Sequence, residues 1–159
     1  MSEYLDAMSA VATGVTVVTV ADGRDDIGAT VTAFGSISAE PPVVSVSVDS
    51  SGYMAEVMAE VGAFAVNVLG SPQKALAGRF AAEGRPSARL LVANQPHTRG
   101  EHTRALVLEE ALAAMECRVR QTVEVGDHTV FFADVIGMPA VRGQGSALVR
   151  RIGRYHAIE

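Results

Sequence analysis

Short runs of valine and threonine, punctuated by Gly, Asp and Pro, set the rhythm of this chain. Residues 15–20 (VTVVTV) form the first run, and Ala21-Asp22-Gly23 ends it, so a hairpin turn leads directly to a strand starting at Ile27. Residues 43–48 read as a third strand after the pair Pro41-Pro42, and residues 64–69 (FAVNVL) as a fourth. Two longer strands follow, over residues 116–125 and 127–136, joined through Gly126-Asp127; residues 148–158 are a last strand or a pair of strands. Helical spacing interrupts the pattern in three places. A short amphipathic helix over residues 3–12 is broken by Thr13-Gly14. Met54, Val57, Met58 and Val61 recur with Glu56 and Glu60 opposite, which marks a surface helix. Leu76 and Phe80 lie four apart in a helix over residues 72–82, opened by Ser71 and Pro72. From residue 83 to 103 periodicity disappears among Gly, Pro, Ser and Arg, as in a long loop or cap.

Strands dominate, and many connections between neighbours are too short for parallel crossovers. The pattern predicts a mainly β, antiparallel barrel or closed Greek key with a few peripheral helices. No βαβ repetition supports a doubly wound nucleotide fold. A chain of 159 residues is most simply one domain, of a size that buries roughly 70% of its unfolded surface. Trp is absent and Ala, Val and Met are plentiful, so the interior is expected to be built from small and branched side chains.

The segment 28–42, GATVTAFGSISAEPP, departs from an ordinary core strand. At period two, Ile27, Ala29, Val31 and Ala33 share one face, while Gly28, Thr30, Thr32 and Phe34 share the other, followed by Ser36 and Ser38. With the apolar side packed inward, the threonine side offers hydroxyls and approachable backbone to a polar, planar ligand. It is a candidate binding wall.

A net charge of −5 argues against a nucleic-acid surface, which needs clustered positive charge. Charge is unevenly distributed, however: beyond residue 140, Arg142, Arg150, Arg151 and Arg154 face Glu159 alone. That basic tail is either a site for a phosphorylated small molecule or a solvated arginine-bearing edge strand. The single Cys117 excludes an internal disulfide and fits a reducing cytoplasm. Val119, Val123 and Val125 share its face in the alternating pattern, which predicts a buried structural thiol. No apolar run approaches the roughly 20 residues of a membrane helix, and no charged segment followed by an apolar one opens the chain, so a soluble cytoplasmic protein is expected.

Several constellations fail as chemistry. His97, Glu101 and His102 lack the helical i, i+4 geometry of a zinc site, and no metal is expected. Gly143-Gln144-Gly145 lacks the third glycine and the strand and helix of a dinucleotide loop. Lys74 is the only lysine and no phosphate loop surrounds it; no nucleophile elbow is present either.

Other motifs occur together and in order: Thr13-Gly14-Val15-Thr16-Val17-Val18-Thr19, GATVTAFGSISAEPP, FAVNVL, LAGRFA over residues 76–81, Glu116-Cys117-Arg118-Val119, Gly126-Asp127-His128 and Gly153-Arg154-Tyr155. In this the chain resembles the flavin reductase family over nearly its whole length. The resemblance implies one split β-barrel domain spanning residues 1–159, a homodimer that binds FMN or FAD and reduces it with NADH or NADPH. It also implies a flavin-dependent monooxygenase as the partner that receives the reduced flavin. In the family, the segment matching Thr30, Val31, Thr32, Ala33 and Ser36 lines the ring and ribityl chain. The turn matching Asp49, Ser50 and Ser51 holds the phosphate. The residue matching His128 lies beside the nicotinamide and is the catalytic candidate; Arg154 and Tyr155 match a motif on the same side. Residues 83–104, Ala113-Ala114-Met115 and Tyr53 depart from the family's usual pattern.

The residues themselves leave alternatives. Ser50 and Ser51 precede a helix, where they either cap it or receive a phosphate. His128 alternates with Val130 and Phe132, so it is either an interior histidine or a nicotinamide contact. Tyr155 either stacks on a ligand or covers the barrel edge. Hydride transfer between two cofactors needs no protein triad. A flavin carrier or sensor without turnover, and a cofactor-free dimerisation barrel, are the rival functions.

Overall fold

The structure, a computed structural model, describes residues 2–159. In chain order its elements are α1 (Ser2–Ser9), β1 (Thr13–Gly14), β2 (Thr16–Ala21), β3 (Asp26–Val31), β4 (Phe34–Ala39), β5 (Pro42–Asp49), α2 (Tyr53–Val61) and β6 (Ala63–Val68). A 3₁₀ turn (Ser71–Gln73), α3 (Lys74–Ala81), α4 (Ala88–Leu91), β7 (His97–Arg99) and β8 (Leu106–Leu108) come next. The chain ends with β9 (Ala113–Val125), β10 (His128–Gly137), β11 (Ala147–Arg151) and β12 (Arg154–Ile158). Strand is the main component, as the alternating pattern predicts.

Seven strands form one antiparallel sheet in the order β3-β2-β6-β9-β10-β5-β4. Its two end strands, β3 and β4, are separated in the chain only by Thr32 and Ala33. In a flat sheet, six steps of about 4.8 Å would hold those ends about 29 Å apart. The link between Val31 and Phe34 spans at most about 10 Å. The sheet therefore curls so that its two end strands approach; the Ser47 amide in β5 donates to the Ala33 carbonyl at 3.0 Å, carrying the β4–β5 pairing into the link.

One face of the sheet collects Val18, Val20, Val44, Val46, Phe64, Val66, Cys117, Phe131 and Ala133 into a core, to which α2 adds Met54, Val57 and Met58. The other face of β2 meets a second core, where Val15, Val17 and Leu69 pack with Leu76 and Phe80 of α3, Ala88 of α4, and Leu106 and Leu108 of β8. β2 is thus buried on both sides, which is why it reads as a continuous run rather than a clean alternation. Its threonines are tolerated there because each hydroxyl has an acceptor: Thr16 donates to the Val31 carbonyl and Thr19 to that of Leu106, both at 2.7 Å.

Five expectations change. The segment from Ile27 to Ser38 is not one strand but β3 and β4, broken at Thr32-Ala33, and Phe34 packs on the first core with Ile27 and Ala29 rather than sharing the face of Gly28 and Thr30. The helix expected over residues 3–12 ends at Ser9 and buries no residue. The one over 72–82 begins as a 3₁₀ turn, with α3 starting at Lys74. The aperiodic stretch 83–103 contains α4 and β7, and β7 pairs with β8, a strand too short for its period to register in the sequence. Finally, Val123 and Val125 do not share the face of Cys117. The β9–β10 register slips by one residue at Arg120, where Val119 pairs with Ala133 but Gln121 with Phe132. A bulge of this kind turns every later side chain to the opposite face, and Val125 is accordingly exposed. Cys117 itself is fully buried, as predicted.

Candidate active site

β3 is an end strand of the large sheet, so only one of its edges pairs with β2. Backbone groups at alternate positions along the other edge face away from the sheet. Arg85 Nε donates to the Gly28 carbonyl at 2.7 Å, and Ser87 Oγ reaches the Asp26 carbonyl at 3.4 Å, which identifies the even positions as outward. Thr30 shares that parity. Beside this edge lies a cavity of about 800 Å³, lined by residues 25–33 of β3 and its flanks, residues 47–54 except Ser50, the segment 83–87, and His128. That volume suits a cofactor-sized ligand.

The walls differ in chemistry. The backbone of β3 at Gly28 and Ala29, with Ala33 just beyond the strand, contributes one wall. From the segment after α3 comes Arg85, whose Nη1 also donates to the Ala82 carbonyl at 3.2 Å; partial burial lowers its pKa, yet a guanidinium stays charged at any ordinary pH. On another wall, β5 and β10 bring His128 opposite Asp49 in register. His128 Nδ1 lies 2.8 Å from Asp127 Oδ1. Ser51 donates to Asp49 Oδ1 through both its hydroxyl (2.7 Å) and its amide (2.9 Å), and these bonds hold the Asp49 carboxyl below its ordinary range.

The structure brings Thr30, Val31, Thr32, Ala33, Asp49, Ser51 and His128 together on one cavity, as the sequence suggests. It corrects the expected binding wall, however. The face carrying Gly28 and Thr30 is covered by α3 and α4: a Cβ on Gly28 would lie 2.6 Å from the Phe80 ring and 3.3 Å from Ala88. Thr30 Oγ1 donates to the Ala77 carbonyl at 2.6 Å. The edge of β3, rather than its threonine face, is what the cavity meets.

Ser36 is exposed on β4 and Ser50 donates to or accepts from Thr129 at 2.7 Å; neither lines the cavity. Neither Ser50 nor Ser51 caps α2, whose N-cap position is Gly52. Arg154 and Tyr155 lie on β12, in the separate sheet β1-β11-β12, and do not line the cavity. Tyr155 packs on the second core with the Arg150 guanidinium 5.0 Å above its ring. Sequence reasoning missed Arg85, Ser87 and Tyr53 as cavity residues. Only the loss of periodicity at residue 83 signalled the first two. No group of three or more His, Cys, Asp or Glu among the described residues is arranged to hold a metal.

A curled antiparallel sheet with a cofactor-sized polar cavity along an end strand, flanked by one fixed cation and a histidine, defines a small-molecule-binding β domain. The match of residues 8–159 to the flavin reductase like domain makes the assignment specific: the chain belongs to the flavin reductase family. It is 35% identical, over 99% of its length and 85% of the relative's, to the NADH-dependent FMN reductase AsuE2 of Streptomyces nodosus subsp. asukaensis. Its fold superposes with a TM-score of 0.91 on BorF, the flavin reductase component of a bacterial two-component tryptophan halogenase, at 32% identity over 99% of this chain and 98% of that one. The NADH:FAD oxidoreductase SgcE6 of Streptomyces globisporus C-1027, in complex with NAD and FAD fragments, gives a TM-score of 0.87 at 29% identity over 98% and 90% of the two chains.

Proposed function

We infer that this protein is an NADH:flavin oxidoreductase that reduces FMN or FAD and delivers the reduced flavin to a flavin-dependent monooxygenase. The observation that carries this reading is the cavity beside the β3 edge, which combines outward backbone groups, a fixed guanidinium at Arg85 and His128 opposite Asp49. The donor set fits a flavin nucleotide. Alternating N–H and C=O groups at Thr30 and beyond match the polar edge of the ring, and the small side chain of Ala33, exposed at the cavity, leaves room for its flat face. Arg85 supplies the charge and fork geometry that a phosphate takes, in place of the serines of residues 50–51. The flavin ring, when bound, is the electron acceptor, so the protein's task is to hold two ring systems in contact.

His128 stands on the wall away from Arg85 and serves the nicotinamide. Its Nδ1 contact with Asp127 fixes the imidazole's orientation and leaves Nε2 to meet the second ligand. The curled sheet, with its end strands β3 and β4 linked through Thr32 and Ala33, supports reading the domain as a split barrel. In a homodimer, Arg154 and Tyr155 reach a nicotinamide only from a second copy, because in their own chain they lie outside the cavity. NADPH is the alternative donor to be compared.

Steady-state oxidation of NADH and NADPH with FMN, FAD or riboflavin tests the reading, with NADH and FMN or FAD expected to turn over. Protein that turns yellow with flavin yet stays oxidised under anaerobic NADH and NADPH would instead be a carrier or sensor.

A further inference from the structure

The segment 83–87 is fastened to β3 by Arg85 on the Gly28 carbonyl and Ser87 on Asp25, and the stretch that follows it, through α4 and β7, by two arginines on one buried carboxylate. Asp26 is 1% exposed, at the first position of β3. Arg99 of β7 grips it through two parallel bonds, Nη1 to Oδ1 and Nη2 to Oδ2, each 2.8 Å. Arg89 of α4 adds an ion pair from Nε to Oδ2 at 3.2 Å. The same two arginines also bind backbone: Arg99 Nη1 reaches the Arg104 carbonyl at 3.0 Å and Arg89 Nη2 that of Arg24 at 3.2 Å. Next to them, Ser87 Oγ donates to Asp25 Oδ1 at 2.6 Å, and Arg85 holds the Gly28 carbonyl. On the apolar side, Ala88 of α4 is buried, 3.3 Å from where a Cβ on Gly28 would stand.

Two cations on one desolvated carboxylate make a junction whose strength depends on all three members. The bond to Asp26 is also what raises the pKa of Arg99. Neither Arg89 nor Arg99 lines the cavity, whereas Asp26, Arg85 and Ser87 do. The arginines therefore lie one step behind the ligand-facing surface, in the stretch whose sequence departs from the family's usual pattern.

We propose that Arg99, supported by Arg89, is a positioning residue: by clamping Asp26 it fixes the segment 83–87, and with it Arg85, against the β3 edge, so that it sets flavin affinity without acting on the electron-transfer step. The inference rests on the flavin reading given above. Its physical content is a separation of effects. The clamp and Arg85 govern the strength with which the flavin is held, while His128 and Asp49 stand on another wall. Loosening the clamp raises the Michaelis constant for flavin and leaves the maximal rate at saturating flavin in place. A purely structural loss would act in the opposite way, lowering the maximal rate with the folded fraction and leaving the Michaelis constant unchanged.

The test uses full-length Arg99→Met, Arg99→Lys and Arg89→Met, with FMN and FAD titrated by fluorescence quenching and by steady-state NADH oxidation. Arg99→Met is expected to weaken flavin binding about tenfold, the scale of one charged hydrogen bond, with kcat within about twofold of wild type. Arg99→Lys, which keeps the charge but not the fork, is expected to fall between. Should Arg99→Met not fold, Arg89→Met, a change at a half-exposed side chain, gives the same ordering with a smaller shift. Wild-type protein that leaves FMN and FAD fluorescence unchanged overturns the flavin reading and the inference with it. Wild-type binding matched by all three variants within about twofold, or a loss confined to kcat, overturns the inference alone.

Discussion

The hydroxyl of Thr30 donates to the carbonyl of Ala77 across 2.6 Å, tying β3 to α3 from the side opposite the first core. Ala77 is followed by Phe80, whose ring lies where a Cβ on Gly28 would stand. One threonine and one glycine on the same strand face thus admit a helix rather than a ligand. Thr30→Val, which keeps the shape and removes the donor, is expected to destabilise the fold by about 1 kcal/mol, read from the urea midpoint. Its flavin affinity should match wild type within about twofold, since the backbone edge is unchanged; a large loss would put the hydroxyl on the ligand.

Gly28 needs its missing side chain for contact rather than for an unusual dihedral. Gly28→Val is expected to cost about 2 kcal/mol by forcing Phe80 aside, as overpacked cores do. Combining it with Phe80→Leu should cost less than the sum of the two single changes, because the smaller side chain frees the space. Strict additivity in denaturant melts would show that the two sites do not touch.

Acid should weaken the fold through a small set of carboxylates. Asp49 is held below the usual carboxylate range by the Ser51 hydroxyl and amide, and Asp25 by the Ser87 hydroxyl and the Asp26 amide. In the unfolded chain these groups take up protons first as pH falls, so the stabilisation they give is present above the unfolded pKa and disappears as pH drops through the folded one. Thermal midpoints are expected to decline from about pH 5 downward. Ser51→Ala should shrink that decline, since Asp49 then titrates nearer its ordinary value.

Cys117 is a test of burial. Loss of solvent, with Glu116 beside it, pushes its thiol up to about 12. At pH 8 only about one part in ten thousand is thiolate. A water-soluble disulfide reagent should leave the native protein unlabelled over minutes and label it stoichiometrically in guanidinium. Rapid native labelling would mean that the sheet interior opens easily.

His128→Ala separates the two ligands of the proposed site. The rate with limiting NADH is expected to fall about tenfold or more, while the flavin dissociation constant stays within about twofold. Equal loss of both would assign the imidazole to the scaffold.

Most strands of the large sheet were legible because their side chains alternate between an interior and a surface that the chain's own composition distinguishes. Residues 43–48 and 64–69 fall within one or two positions of β5 and β6. The hairpin at Gly126-Asp127 was equally plain, for Gly126 takes the positive φ of 57° that such a turn requires. Less of the site could be read. The ordered motifs pointed to β3, to Asp49 and Ser51 and to His128, all of which meet at the cavity. Arg85 and the clamp of Arg89 and Arg99 on Asp26 stayed hidden, since 73 residues separate the two partners of the closest bonds and no local period links them.

The sequence alone determined the strand-rich class, the resemblance to flavin reductases and the set of residue types available for a flavin and a nicotinamide, because alternation, turn chemistry and ordered motifs are local properties. Only the tertiary structure decided which side of β3 is open and which strand faces invert beyond the bulge at Arg120. It also decided that a segment without periodicity closes the cavity. Those outcomes depend on what packs against each element from far along the chain: Phe80 and Ala77 take one face of β3, and two arginines take the carboxylate at its start. No spacing within β3 itself records either partner.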